Sequence, residues 1–204
     1  MDLRVIGAGV GLLALLSSGT VPAQSAGQGS APSGDPVARA NAIVQVDNMA
    51  FQPSTVTVGL DDLVTWEFLD SMSHNTTSVQ GFWSSGSRNS GTFAQEFTFS
   101  GAFAYLCTLH PSMRGLVKVP LQATGSPRAG WRLRWAMVAG DDTYDYDVQV
   151  RRPGSRKWRA FRTDTTAATG RFNPAKSGKY SVRARTARNG AHSGWSPVRR
   201  LRVS

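Results

Sequence analysis

Residues 102–113 read AFAYLCTLHPSM, and the organisation of the first half of the chain can be worked out from them. The run before Cys107 is apolar and aromatic, as in a buried strand. His110 and Met113 follow Cys107 at intervals of three, and Pro111 stiffens the loop between them. Cys107 is the only cysteine among 204 residues, so a disulfide within the chain is excluded and the thiol needs another explanation.

A second imidazole, that of His74, lies upstream in the segment that follows the strand-like run 63–66. One thiolate, two imidazoles and a thioether form a soft ligand set. Zinc gains little from a thioether, whereas two histidines and a cysteine with a weak axial methionine are the blue-copper arrangement. The residue types and their spacing therefore predict a copper site held between two loops of a rigid fold.

Each of these residues has a simpler interpretation when it is taken alone. Cys107 would be a small buried hydrophobe, and His74 or His110 would be an ordinary surface residue. Met72 is a competing soft ligand beside His74, but Met113 has the spacing of a ligand loop. The combination favours a metal site over four unrelated side chains.

Short β-branched and aromatic runs bounded by turn residues surround the ligand loop, and no run has a helical apolar stripe. Gly and Pro total 31 residues, which favours strands and turns over long helices. We therefore predict an all-β chain whose first part is a β-sandwich of roughly 80 residues, a common domain size. Its predicted strands lie at 43–47, 54–58, 63–66, 92–99, 102–106 and 116–119.

The loop and its upstream partner resemble a known family. Residues 72–75 (MSHN), Phe82 and residues 105–115 (YLCTLHPSMRG) are similar to the type 1 copper motifs of the plastocyanin/azurin family. The short Cys-x2-His-x2-Met loop is most similar to that of the amicyanin-like cupredoxins. The resemblance covers residues 41–121 and implies a cupredoxin Greek-key β-sandwich with one type 1 copper. The ligands that it implies are His74, Cys107, His110 and, in the axial position, Met113.

The resemblance also implies residues that support the ligands. Asn75 matches a residue whose backbone N–H points at the thiolate and whose side-chain amide ties the loop near Thr108. Leu109 stands where amicyanin-like loops have proline, and its backbone N–H is predicted to donate to the Cys107 sulfur. Hydrogen bonds of this kind hold ligands in place and tune the metal.

The second half predicts another sandwich. Tyr144, Tyr146 and the residues after them alternate with polar residues, as do Tyr180 and its neighbours. The pattern around Trp135 and Tyr180 and the GWS triplet at 194–196 resemble a fibronectin type III domain over residues 126–204, with the first strand short or missing. Trp135 would be its core tryptophan and Tyr180 a corner tyrosine whose hydroxyl caps a loop. A short connection at 122–125 would join two independent cores.

The N-terminus is typical of a targeting segment. An apolar run at 5–16 follows Arg4, and it is too short to span a bilayer, which needs ~20 residues. Cleavage after Ala23 gives a signal peptide at 1–23, and the polar residues 24–40 form a flexible linker. An uncleaved anchor is the alternative. We therefore predict a secreted or extracytoplasmic protein, in the periplasm or cell envelope, with no transmembrane span after cleavage.

Charge is divided unevenly along the chain. Residues 41–124 carry three Lys or Arg and six Asp or Glu, a net charge of −3, whereas residues 125–204 carry eighteen and five, a net charge of +13. Such a basic domain can meet an anionic cell-envelope surface, or it can simply be well solvated. Nucleic acid is not expected to be a partner of an exported protein in vivo. The predicted basic face comprises Arg151, Arg152, Arg156, Lys157, Arg159, Arg162, Arg183, Arg185 and Arg188.

Four protein ligands leave no open position for a substrate, which predicts an electron carrier and not an enzyme. The carrier would exchange single electrons with redox partner proteins. The alternative is an extracytoplasmic copper carrier or storage protein with an adhesion-type adaptor domain, for which exposed Met- or His-rich tracts would be expected. An oxidase is disfavoured because, beyond His74 and His110, only His192 is left for a second metal centre.

Overall fold

A computed structural model describes residues 39–204, which confirm the all-β prediction with sixteen strands and no helix in that range. No described segment could cross a membrane as a helix. The predicted signal peptide and all but the last two residues of the predicted linker lie outside the described residues. The first eight strands are β1 (Asn41–Asp47), β2 (Ala50–Gln52), β3 (Thr55–Thr57), β4 (Asp62–Phe68), β5 (Thr77–Ser78), β6 (Gly91–Phe97), β7 (Gly101–Leu106) and β8 (Arg114–Val119). The other eight are β9 (Gln122–Ser126), β10 (Gly130–Arg134), β11 (Tyr144–Arg151), β12 (Arg159–Thr165), β13 (Thr169–Phe172), β14 (Gly178–Arg188), β15 (Ala191–His192) and β16 (Arg199–Val203).

The first sandwich packs a sheet of order β2-β1-β4-β6 against one of order β3-β8-β7-β5. Strands β1 and β4 run parallel, as do β3 and β8, and the other pairs are antiparallel. Alternate residues of β4 and β7 point inward, so Trp66 meets Tyr105 edge to face at 5.4 Å between ring centroids. This apolar core fixes the ends of β4 and β7, from which the two ligand-bearing loops leave.

The second sandwich packs a sheet of order β9-β10-β13 against one of order β12-β11-β14, with β15 and β16 pairing β14. Trp135 is fully buried in its core, and its indole N–H donates to the Ala167 carbonyl at 2.6 Å. The Tyr180 hydroxyl donates to the Lys176 carbonyl at 2.6 Å, as a corner tyrosine does.

The segment between the sandwiches differs from the predicted connection. Residues 122–125 belong to β9, which pairs with β10, and Leu121 is buried in the second core. The first strand of the second sandwich is therefore present. The alternation of β9 was hidden in the sequence because the strand is short, mostly exposed and contains a glycine, all of which weaken a strand signal.

The two sandwiches contact each other beyond the short connection that the sequence predicted. The described residues, 39–204, form one compact unit. Ala102 of β7 exchanges two backbone hydrogen bonds with Gly194, at 2.9 and 2.8 Å, in a short antiparallel bridge. Phe99 packs against both cores and lies 5.1 Å from Tyr144, measured between ring centroids. The second sandwich thus completes an edge of the strand that leads to Cys107.

Candidate metal centre

The ligand loop runs from the end of β7 to the start of β8 and is shaped by its own backbone. The His110 N–H donates to the Cys107 carbonyl at 3.2 Å, and the Met113 N–H donates to the His110 carbonyl at 2.9 Å. The Cys107 N–H closes the loop on the Met113 carbonyl at 3.2 Å. These bonds place the three predicted ligands of the loop at the corners of two consecutive turns.

Three donor atoms converge at this end of the sandwich. The Cys107 Sγ lies 3.9 Å from Nδ1 of His74 and 3.7 Å from Nδ1 of His110, and the two Nδ1 atoms are 3.0 Å apart. Cys107 and His74 are buried, whereas His110 is partly exposed. The structure thus brings together residues 33 and 36 positions apart in the chain, with the Nδ1 atom of each imidazole facing the Cys107 sulfur.

Met113 lies in the first core, where 2 % of its surface is exposed. It belongs to the same buried cluster as Cys107. Met72, the competing soft residue, is 45 % exposed and outside that cluster. A buried thioether on the ligand loop suits the axial donor of a copper site better than an exposed one.

Asn75 ties the two loops together. Its backbone N–H donates to the Cys107 Sγ at 3.4 Å, and its side-chain Nδ2 donates to the Thr108 hydroxyl at 2.7 Å. The Asn75 Oδ1 accepts from the Thr108 N–H at 3.0 Å and from the Thr77 hydroxyl at 3.0 Å. One buried amide therefore fixes the separation between the loop of His74 and the loop of Cys107.

Leu109 does not make the predicted hydrogen bond. Among residues 39–204, the only backbone N–H that donates to the Cys107 Sγ is that of Asn75. Leu109 is half exposed, with its side chain on the outside of the loop beside His110. The prediction was wrong because the turn that begins at Cys107 uses the N–H of His110, on the carbonyl oxygen and not on the sulfur.

Asp70 is a functional residue that the sequence analysis missed. Its carboxylate oxygens lie 3.0 and 2.9 Å from Nε2 of His74, and Oδ1 also accepts the Met72 N–H at 2.8 Å. This carboxylate fixes the ring so that Nδ1 faces the sulfur, as in the carboxylate–histidine pairs that orient metal ligands. The available signal was an acidic residue four positions before His74 in a loop.

The loop of His74 is anchored to the core on its other side. The backbone of His74 exchanges hydrogen bonds with Arg88, both at 2.8 Å. The buried Thr76 N–H donates to the Ser85 hydroxyl at 2.9 Å, and the Trp83 indole donates to the Thr76 hydroxyl at 3.2 Å. Both ligand loops are thus held before any metal binds, which is the preorganisation a metal site needs.

Tyr105 packs in the first core two residues before Cys107. Burial raises the pKa of its phenol to about 12, so the ring is neutral at physiological pH. Gly115 makes room for this ring, since a Cβ at that position would lie 2.1 Å from the Tyr105 Cζ. The wall behind the ligand loop is therefore apolar and uncharged.

The donor set fits a copper ion. One thiol, two imidazole Nδ1 atoms and a buried thioether are soft or borderline ligands, and the site offers no carboxylate of its own as a direct donor. Such a set suits copper, which can hold either of two oxidation states there, better than a hard cation such as Mg²⁺ or Ca²⁺.

Comparisons with known proteins agree with this chemistry. Residues 38–120 match the family model described as copper binding proteins, plastocyanin/azurin family. Amicyanin of Paracoccus denitrificans is 29% identical over 112 residues, which cover 52% of this chain and 82% of that protein.

Solved structures of similar proteins include an oxidised amicyanin variant and a purple cupredoxin from Nitrosopumilus maritimus. The amicyanin variant is 28% identical, covering 38% of this chain and 80% of its own, with a TM-score of 0.37. The purple cupredoxin is 26% identical, covering 38% and 98% of the two chains, also with a TM-score of 0.37. From the family match and the converging donors, the cofactor of this site is one type 1 copper ion.

Proposed function

We propose that residues 41–121 are a type 1 copper domain that exchanges single electrons with redox partner proteins outside the cytoplasm. The observation that carries the proposal is the convergence of His74, Cys107 and His110 in a corner that Asn75 has already fixed. Met113 is the proposed axial ligand. With four donors from the protein, the site has no open position for a substrate, which supports electron transfer and not catalysis.

The residues of the site have separate tasks in this proposal. When bound, copper supplies the one-electron couple. Cys107 contributes charge to the metal, and the Asn75 N–H draws charge from the sulfur, which favours the reduced state. Asp70 holds His74 in the orientation that binds. Because both loops are tied to the core, they need not rearrange when the charge of the site changes.

His110 is the ligand side chain that a partner protein can approach. It is partly exposed, whereas the other three proposed ligands are buried. The half-exposed Leu109 stands beside it. A partner that docks on this corner would therefore come within a short distance of a group bonded directly to the metal.

The rest of the chain completes the proposal. Residues 1–23 would direct export and residues 24–40 would act as a linker. Residues 126–204 would form a fibronectin type III-like adaptor, supported by the buried Trp135 and the Tyr180–Lys176 bond. With a net charge of +13 over residues 125–204, this adaptor would retain the protein at an anionic cell-envelope surface.

An optical spectrum of the copper-loaded chain tests the proposed function. A Cu(II)–thiolate bond should give an intense visible absorption that disappears on reduction. Cys107→Ser should abolish it, while Ser112→Ala, on the same loop, serves as the matched control and should keep it. A colourless protein that binds copper weakly would overturn the proposal.

Met113→Leu tests the axial ligand separately. The variant should keep its colour and have a higher reduction potential, because losing a soft donor destabilises Cu(II) relative to Cu(I). The shift is about 59 mV for each tenfold change in the relative affinity for the two states. Met72→Leu is the control. If it changed the reduction potential more than Met113→Leu does, Met72 and not Met113 would be the axial ligand.

A further inference from the structure

The sheet β9-β10-β13 presents a polar outer surface. Trp131 and Leu133 of β10 pack on the second core, so Arg132 and Arg134 between and after them face outward. Strand register places Thr124 and Arg171 opposite Arg132, and Gln122 and Thr169 opposite Arg134. We name this surface the arginine face. It comprises Gln122, Thr124, Arg132, Arg134, Thr169 and Arg171.

The arginine face is concave. Two adjoining depressions, of about 480 and 270 Å³, share Thr124 and Arg132 in their walls. Arg171 lines the larger one and Arg134 the smaller one. Together they form a groove that crosses the three strands.

No acidic residue neutralises this groove. The strands β9, β10 and β13 contain no Asp or Glu, and neither does any position from 165 to 204. Within residues 39–204, none of the three arginines forms an ion pair. Their side-chain bonds are weak, 3.4 Å from Arg132 to the Thr169 hydroxyl and 3.9 Å from Arg134 to the Met137 sulfur. Most of their donors are therefore free for an anion.

The face predicted from the sequence differs from this one. On the opposite sheet, the Arg183 guanidinium lies 4.2 Å from the ring of Trp158 and 4.5 Å from that of Trp195. Its Nε and Nη2 donate to the Gln149 side chain, and Arg185 pairs with Asp147 at 2.7 Å. Arg183 and Arg185 already have partners inside the molecule, so their guanidiniums offer less to a ligand than those of the arginine face do.

We propose that the arginine face binds an acidic polysaccharide through its carboxylates and hydroxyl groups. This rests on the retention at an anionic surface suggested under the proposed function, and it names the binding surface and the ligand. Guanidinium groups bind carboxylates through paired hydrogen bonds, and the threonine and glutamine side chains can donate to and accept from sugar hydroxyls. A polymer can meet several arginines at once, which a single anion cannot.

The composition of the groove argues against other polyanions. All six side chains of the arginine face are polar. Trp131 also lines the larger depression, but its side chain packs on the second core and its Nε1 donates to the Arg202 carbonyl at 2.8 Å. Protein partners use aromatic or apolar anchors at the centre of an interface. Single-stranded nucleic acid also uses aromatic platforms, on which its bases stack. A hydrated acidic glycan needs only charge and hydrogen bonds, which are what this face supplies.

Binding of the copper-loaded full chain to polygalacturonate, measured at low and high salt, tests the proposal. The triple variant R132Q/R134Q/R171Q should bind at least about tenfold more weakly at low salt, from three exposed charge contacts of up to about 1 kcal/mol each. The control R156Q/R159Q/R162Q removes the same charge from exposed positions at the other side of the domain. It should lose less than about threefold, because these arginines lie outside the groove and act on the polymer only through longer-range attraction that salt screens.

The outcomes separate clearly. Equal losses in the two triple variants would mean diffuse attraction and would overturn the assignment of the arginine face. Tighter binding of duplex DNA or polyglutamate than of polygalacturonate at equal salt would overturn the ligand class. Copper absorbance of both variants should match that of the parent chain and reports on folding. Loss of the blue copper assignment would leave polygalacturonate binding unchanged, so the two proposals fail independently.

Discussion

The two sandwiches place their functional side chains in opposite ways. In the first, the metal corner is buried, and each ligand loop is fixed by backbone and amide hydrogen bonds such as that from Asn75 to Cys107. In the second, charged side chains stand on the outer surfaces of the sheets, and Arg132 and Arg171 are exposed. Binding at the buried metal corner depends on the fixed positions of the ligand atoms, whereas binding at the exposed sheet surface depends on which charged groups have no partner within the protein. The two therefore call for different tests.

Truncation after Gly125 gives the largest expected effect, because it removes the sandwich that caps β7. Six hydrogen bonds between the two sandwiches would be lost, including both Ala102–Gly194 bonds and that from the Thr186 hydroxyl to the Ser100 carbonyl. At about 0.5–1.5 kcal/mol each, we expect a destabilisation of about 3–9 kcal/mol. The melting temperature of a fragment this size should fall by at least about 10 °C.

The truncated chain should nevertheless be blue at low temperature, since the hydrogen bonds that hold the metal corner all come from the first sandwich. Calorimetry of both copper-loaded chains makes the comparison. Equal melting temperatures would restore the view that the two cores are independent.

Two buried tyrosines, one in each core, give the next effect. Burial raises the pKa of Tyr105 to about 12, and burial followed by the charge of Asp141 raises that of Tyr146 to about 12. The unfolded chain ionises both phenols near pH 10. The stability that they contribute is therefore complete below about pH 10 and is lost as pH rises towards 12. For Tyr105 the loss is about 2–3 kcal/mol.

Denaturant titrations at pH 8 and about pH 11, with Tyr105→Phe and Tyr146→Phe as variants, measure this dependence. If the two sandwiches unfold together, each substitution should flatten the alkaline loss of a single transition. Two unfolding transitions, each changed by only one of the substitutions, would contradict the inference that the two sandwiches unfold together.

Asp70→Asn should weaken copper binding by about 10–100-fold, the usual effect of removing a group that orients a metal ligand. The carboxylate lies 2.9 Å from Nε2 of His74, so the variant loses a charged acceptor but keeps the size of the side chain. Competition with a copper chelator measures the affinity. Asp61→Asn changes a partly exposed acid of the same sandwich that pairs with Arg39, and it is the control. Equal copper affinities of the two variants would show that Asp70 does not support the metal site.

The sequence predicted the buried metal corner of the first sandwich better than the exposed charged surface of the second. The Cys-x2-His-x2-Met loop and His74 were recognisable because the ligand spacing is set by the turns that bring the ligands together. Asp70 was not, because a loop carboxylate has no periodic signal and its partner is defined only by the folded loop. The basic face predicted from the sequence did not include the arginines of β10 and β13, because composition does not reveal the strand register that stacks Arg183 on Trp158 and Trp195 and leaves other guanidiniums free.

Leu109→Pro should have the smallest effect, and it examines the metal corner at an exposed residue of the ligand loop. Proline lacks a backbone N–H, so the substitution matters only where that donor is used. Within residues 39–204 the Leu109 N–H has no backbone or side-chain acceptor, and the Cys107 sulfur accepts its backbone hydrogen bond from Asn75. The reduction potential should therefore stay within a few millivolts of the parent value, well under the ~59 mV of a tenfold change in relative affinity. Cyclic voltammetry of the two copper-loaded chains, with Leu109→Ala to control for the lost side chain, gives the answer. A potential that falls in the proline variant alone would show that the Leu109 N–H reaches the sulfur once copper is bound.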